Sequence, residues 1–141
     1  MSRIKLQLPE NFNFFTLIQI RITDINYGGH VGNDTILTLL HEARMQFLKN
    51  SGYTEMDVEG TGLIMSDAAI EFKTESFYGD TIKAFVKADH FSRVGFDLYY
   101  KLVKQHDESI IAVAKTAMIC YNYQIRKIVS LPEAARKKLG I

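Results

Sequence analysis

The run from Asp24 to Asp34 holds Asp24, Asn26, His30, Asn33 and Asp34 around Gly28 and Gly29, between an apolar run and a long amphipathic segment. Histidine is the side chain that gains and loses a proton near neutrality, so His30 is a candidate base. A carboxylate at Asp34, close in sequence to His30, is a second candidate. Gly28-Gly29 signals a turn, because glycine alone takes positive φ freely. Asn33 or Asp34 is expected to cap the helix that follows by accepting a hydrogen bond from a first-turn N–H. The turn therefore delivers polar side chains to a helix N-terminus. Such an end carries free N–H groups and partial positive charge, and it suits a carbonyl oxygen or an anion.

The elements that must position this loop can be read from the spacing of apolar residues. Residues 14–22, FFTLIQIRI, are aromatic and β-branched and predict a strand with Thr16, Ile18, Ile20 and Ile22 on one face. Residues 34–50 predict the main helix: Ile36, Leu39, Leu40, Ala43 and Phe47 form one stripe, flanked by Leu37, His41, Arg44 and Leu48. Gly52 is the candidate left-handed cap. From Leu63 the period becomes two. Strands are expected over 63–77, with Ile64, Ser66, Ala68, Ile70 and Phe72 on one face, and over 81–89, 93–104 and 109–123. The last is nearly all apolar, as for a central strand. Ser130, Pro132 and Glu133 suit the cap and first turn of a short C-terminal helix. One early helix followed by strands on short, antiparallel connections is an α+β design.

The 141 residues make one domain, 1–141, with no repeat or linker. A net charge of +1 argues against nucleic acid as a partner, which asks for a basic face. No apolar run is long enough to span a membrane, and residues 1–13 lack a signal-peptide pattern. The single cysteine, Cys120, lies in an apolar run and reads as a buried hydrophobe in a reducing, cytoplasmic setting. The four histidines are dispersed, so no metal cluster is expected, and no phosphate-binding glycine motif or nucleophile elbow is present.

The loop and helix resemble the hotdog-fold thioesterases, in particular the group of 4-hydroxybenzoyl-CoA thioesterase and its small bacterial acyl-CoA relatives. That pattern runs approximately Arg-x-x-Asp-x-Asp-x-x-Gly-His-Val-Asn-Asn. Arg21, Asp24, Gly29, His30, Val31, Asn33 and Ala43-Arg44 stand at matching positions, and Gly62, Gly79-Asp80 and Ser92-Arg93 match later features. The resemblance covers roughly residues 14–125 and implies a long helix wrapped by a curved antiparallel sheet of five to six strands. It implies hydrolysis of an acyl-CoA or acyl carrier protein thioester to an acid and a free thiol, without metal or cofactor, by a homodimer or homotetramer.

Two departures bear on mechanism. The usual catalytic aspartate is Asn26 here, and an amide cannot be a general base or carboxylate nucleophile. The first helix asparagine is Gly32. The resemblance then makes Asn26 the residue that orients water or holds the thioester oxygen, with His30, Asp34 or Glu42 as base. Glu42 enters because another hotdog subgroup keeps its carboxylate on the helix. Gly28, Gly29 and Asn33 would hold the carbonyl, the Gly29 N–H polarising it. Ser66 would approach a neighbouring subunit's site, and Arg93 the CoA phosphates. Two other readings stay open: a non-catalytic acyl-thioester binding protein, and a hotdog dehydratase of 3-hydroxyacyl thioesters.

Overall fold

The expected helix stripe is what the fold is built on. A computed structural model describes residues 1–141, and in it α1 spans Asn33–Asn50. Ile36, Leu39, Leu40, Ala43 and Phe47 are all buried. Each large side chain so buried contributes roughly 1.5–3 kcal/mol, so α1 is held by its apolar face. The helix ends as expected. Gly52 takes φ +82°, its N–H donates to Lys49 O and the Tyr53 N–H to Leu48 O, a Schellman arrangement. The start differs from expectation. The N-cap is Gly32, without a side-chain cap. Asn33 and Asp34 lie inside the first turn, where Asp34 suits the helix dipole.

Around α1 curls one antiparallel sheet. Its strands are β1 (Phe14–Gln19), β2 (Gly62–Phe72), β3 (Thr81–Asp89), β4 (Gly95–Lys104), β5 (Ile110–Asn122) and a short β6 (Lys127–Ile128), and α2 (Glu133–Leu139) closes the chain. The order is β1-β3-β4-β5-β2, with β6 pairing β5. Ile82, Ala84, Val86, Phe96, Leu98, Leu102, Ala112, Ala114 and Met118 join the α1 stripe in one core cluster. This is the hotdog arrangement, a long helix wrapped by a six-stranded antiparallel sheet. No helix is long and apolar enough to cross a membrane.

Three further expectations need correction. A β-bulge at Ser66 breaks the alternation of β2: Leu63 and Met65 pair with Cys120 and Met118, whereas Ala68 and Ile70 pair with Thr116 and Ala114. One inserted residue moves the side chains before it to the other face, so Ile64 does not share a face with Ala68 and Ile70. β1 ends at Gln19, and Ile22 is exposed in a 3-10 turn over Ile22–Asp24. Pro132 is the N-cap of α2 rather than a first-turn residue.

The outer face of the sheet is covered as well. Tyr99, Val103 and Val113 lie opposite the core yet are buried. Residues 6–12 run along this side: the Leu6 N–H donates to Glu71 Oε2 at 2.7 Å, Lys87 Nζ donates to Glu10 O at 2.7 Å, and Phe12 meets Phe85 edge-on.

One buried polar network ties α1 to the segment before β2. Arg44 Nε donates to Glu55 Oε2 at 3.0 Å and Arg44 Nη1 to the Tyr100 hydroxyl at 3.1 Å. That hydroxyl also bonds Thr116 Oγ1 at 2.7 Å. Burial works against the Arg44 charge, but Tyr100 and Glu55 outweigh it and hold the guanidinium protonated.

Candidate functional site

The loop before α1 is closed by its own backbone. Ile25 and Val31 form an antiparallel bridge, the Asn26 N–H donates to His30 O at 2.9 Å, and the Gly29 N–H donates to Asn26 O at 3.1 Å. Gly29 takes φ +83°, which a side chain would strain. Below the loop, buried Asp24 accepts from the Arg21 N–H at 2.8 Å, so its role is structural. The Gly29 N–H expected to polarise a carbonyl is already engaged within the loop.

Asn26 has two ends with different duties. Its Oδ1 accepts from the Gly28 N–H at 2.9 Å, a local turn bond. That bond assigns the oxygen, so the Nδ2 end faces Gly32. A Cβ added at Gly32 would stand 3.6 Å from Asn26 Nδ2 and 2.6 Å from Asp34 Oδ1. The asparagine of the resembling pattern therefore has no room at position 32 with Asp34 as placed. The N–H groups of Gly32, Asn33 and Asp34 donate to no backbone or side-chain acceptor. Asn26 Nδ2, these amides and the Asp34 carboxylate share one small region at the start of α1.

His30 is fixed from one side. Its Nδ1 lies 3.0 Å from Val31 O. A carbonyl only accepts, so Nδ1 carries the proton and Nε2 of the neutral ring keeps its lone pair. Nε2 lies 3.9 Å from Glu75 Oε1. Glu75 belongs to a segment pinned to the loop and to β5. The Val31 N–H donates to Ser76 O at 2.8 Å, and the Lys73 and Thr74 N–H groups both donate to Ile111 O. Thr74 Oγ1 donates to Ile110 O. Between the loop and this segment opens a pocket of about 290 Å³, with His30, Asn33 and Glu75 on its walls and Ile36, Phe72 and Ile111 on its apolar side. Glu75 was missed in the sequence. It falls in the stretch expected to be strand, and no spacing rule links it to a histidine far upstream; only the Val31–Ser76 hydrogen bond brings them together.

The remaining candidates lie elsewhere. Glu42 is exposed on α1, roughly 12 Å along the axis from Asp34 at 1.5 Å per residue. It accepts from Gln46 Nε2 and lines a separate groove against β1 with Thr16, Arg21 and Met45. Ser66 sits exposed at the β2 bulge, its Oγ 3.5 Å from Ala117 O. Arg93 is exposed in the β3–β4 turn, where its carbonyl accepts from the Leu131 N–H. That turn is at the α2 end of the sheet, away from the loop. Within this one chain, Asn26, Gly28, Gly29, His30, Asn33 and Asp34 come together, and Glu42, Ser66 and Arg93 do not join them. Burial pushes the Cys120 thiol up, in line with an inert hydrophobe. No group of His, Cys, Asp or Glu is arranged to hold a metal ion.

A larger cavity, about 460 Å³, lies at the far end of α1 among Phe14, Phe47, Val86, Lys87, Lys138 and Leu139. It contains no candidate base, and its two lysines already donate to carbonyls of Glu10 and Ser51.

Residues 20–139 match the model of the thioesterase-like superfamily. The chain is 27% identical over 117 residues to a curated protein of Aquifex aeolicus, covering 82% of this chain and 88% of that one. Among solved structures it is similar to a 1,4-dihydroxy-2-naphthoyl-CoA thioesterase from Synechocystis, with TM-score 0.81 and 21% identity over 89% of this chain and 94% of the other. It is also similar to a DHNA-CoA thioesterase from Staphylococcus aureus, with TM-score 0.75 and 20% identity over 83% and 79% of the two chains. At these identities the structural likeness speaks for the fold.

Proposed function

Because the chain belongs to the thioesterase-like superfamily, we propose that it hydrolyses an acyl-CoA thioester at the loop that opens α1, releasing a carboxylic acid and free CoA. The observation that carries this reading is His30: its Nδ1 is committed to Val31 O, which leaves Nε2 with its lone pair, and His30 shares a pocket wall with Asn33 at the start of α1. A water deprotonated by Nε2 attacks the thioester carbon, and the N–H groups of residues 32–34 with Asn26 Nδ2 receive the developing oxyanion. One such donor is worth ~3 kcal/mol in well-studied enzymes. Collapse of the tetrahedral intermediate breaks the C–S bond, and His30 returns the proton to sulfur. Acyl carrier protein is the other carrier compatible with this chemistry.

The functional unit is proposed to be at least a dimer. β2 is an edge strand whose stretch from Met65 to Ala68 is exposed, and an unpaired edge seeks a partner. Light scattering at micromolar concentration should exceed the 16.1 kDa of one chain; a monomer contradicts a shared site.

The function is tested with aliphatic and aromatic acyl-CoAs, following free thiol and product together. Saturable thiol release supports the hydrolase. Binding without turnover makes the chain an acyl-thioester binding protein, with the Asn26–Gly28 bond as the reason position 26 is purely structural. An enoyl product without thiol makes it a dehydratase.

A further inference from the structure

We propose that Glu75 is the carboxylate of this site, holding the attacking water jointly with His30. The inference rests on the thioesterase reading and adds to it the carboxylate that position 26 lacks. Every other nearby carboxylate is committed or turned away. Asp24 is buried on the Arg21 N–H, Glu42 is bonded to Gln46 in another groove, and Asp34, against Gly32 at the start of α1, does not line the pocket that His30 and Glu75 share. Glu71, on the strand that leads to Glu75, is paired with Lys73 at 3.3 Å and with the Leu6 N–H at 2.7 Å. Lys73 is thus engaged elsewhere, and His30 is the one charged or titratable side chain in range of Glu75.

The spacing suits a shared water. With Nδ1 protonated, both His30 Nε2 and Glu75 Oε1 are acceptors, and 3.9 Å is too long for a direct hydrogen bond. A water donating about 2.8 Å to each of two acceptors spans roughly 4 to 4.5 Å between them, a span that a small turn of the exposed Glu75 side chain reaches from 3.9 Å. One water thus donates to both groups and turns a lone pair into the pocket. The backbones that carry the two groups are tied together, because the residues next to them, Val31 and Ser76, share a hydrogen bond of 2.8 Å.

The step balances without a further reactant. The water oxygen bonds the thioester carbon as one water proton passes to His30 Nε2, and the carbonyl π electrons move to oxygen. The Glu75 carboxylate holds the second proton by hydrogen bond and stabilises the imidazolium beside it. As the C–S bond breaks, the imidazolium proton goes to sulfur. The second proton leaves with the acid product and is lost to solvent.

The test is steady-state hydrolysis by wild type, Glu75→Gln and Glu75→Asp on the best acyl-CoA of the panel, with thermal unfolding of each. Glu75 is 63% exposed, so the variants should melt with the wild type. Glu75→Gln should lose kcat by about a hundredfold or more with KM within about threefold, the signature of a group acting in the transition state. Glu75→Asp, which keeps the charge, should recover at least about tenfold of that loss. An active wild type with Glu75→Gln within about threefold of its kcat, or changed in KM alone, overturns the role of Glu75 while leaving the thioesterase reading intact. A wild type inactive on the whole panel overturns both.

Discussion

Two histidine–glutamate pairs flank α1, and they differ in what else their members touch. His41 Nε2 meets Glu55 Oε1 at 2.6 Å, and Arg44 takes the other carboxylate oxygen at 3.0 Å. Behind Arg44 stand Tyr100 and Thr116, both fully buried. No buried side-chain donor or acceptor in that group lacks a partner. At the other pair His30 Nε2 and Glu75 stand 3.9 Å apart, with no second partner and a pocket in front of them. The first pair is saturated and holds structure. The second keeps a lone pair, a carboxylate and room for a substrate. Unspent hydrogen-bonding capacity marks the site better than cavity size does, since the larger cavity at the far end of α1 has no base in it.

The largest effect should come from breaking the saturated pair. Arg44→Ala leaves Glu55 and the buried Tyr100 hydroxyl without their shared cation and should cost about 3–5 kcal/mol in urea unfolding. A loss below 1 kcal/mol would mean that water or His41 replaces it. At the open pair the order reverses: His30→Ala should leave the urea midpoint nearly unchanged and lower kcat about a hundredfold or more, roughly 2.7 kcal/mol of barrier. Asn26→Asp comes next. An aspartate keeps the acceptor for the Gly28 N–H but replaces the Nδ2 donor with an oxygen facing Gly32, the residue Asp34 also faces. Two carboxylates so close repel, and kcat should fall about tenfold or more, at least 1.4 kcal/mol. A gain in rate instead would make position 26 a lost carboxylate and move the base there.

The turn before α1 was legible because glycine chemistry is local, and Gly28-Gly29 marks it without any partner; the capless helix start was not, since Gly32 takes the N-cap place that Asn33 or Asp34 was expected to fill. The α1 stripe was legible because a period of 3.6 needs no partner to be seen. The bulge at Ser66 was not, since one inserted residue changes the phase of a strand without changing its composition. Neither was Glu75, whose partner is fixed by a tertiary hydrogen bond. The buried Arg44 belongs with these. A charged residue on a line that flanks the apolar stripe shows no partner in the sequence; Tyr100 and Thr116 arrive from β4 and β5.

Smaller effects sharpen the contrast. Burial pushes the Tyr100 phenol up, with Arg44 and Thr116 pulling it back only in part. Burial and the Glu59 carboxylate push Tyr53 up to about 12. Both raised values mean that the folded chain keeps protons which the unfolded chain gives up near pH 10. Stability should hold below pH 10 and fall as pH rises toward 12, with a shallower fall in Tyr53→Phe; equal slopes would remove Tyr53 from that account. The smallest change should be His41→Ala. His41 is 56% exposed and Glu55 keeps Arg44, so the loss should stay below about 1 kcal/mol.

The proposed thioester site lies at the N-terminal end of α1, between the glycine loop and the Glu75 segment. An unreactive thioether analogue of an acyl-CoA, titrated into nitrogen-15-labelled protein, tests it directly. The amides of residues 26–34 and 73–76 should shift together and saturate together. Shifts confined to the far end of α1, around Phe47, Lys138 and Leu139, would contradict it.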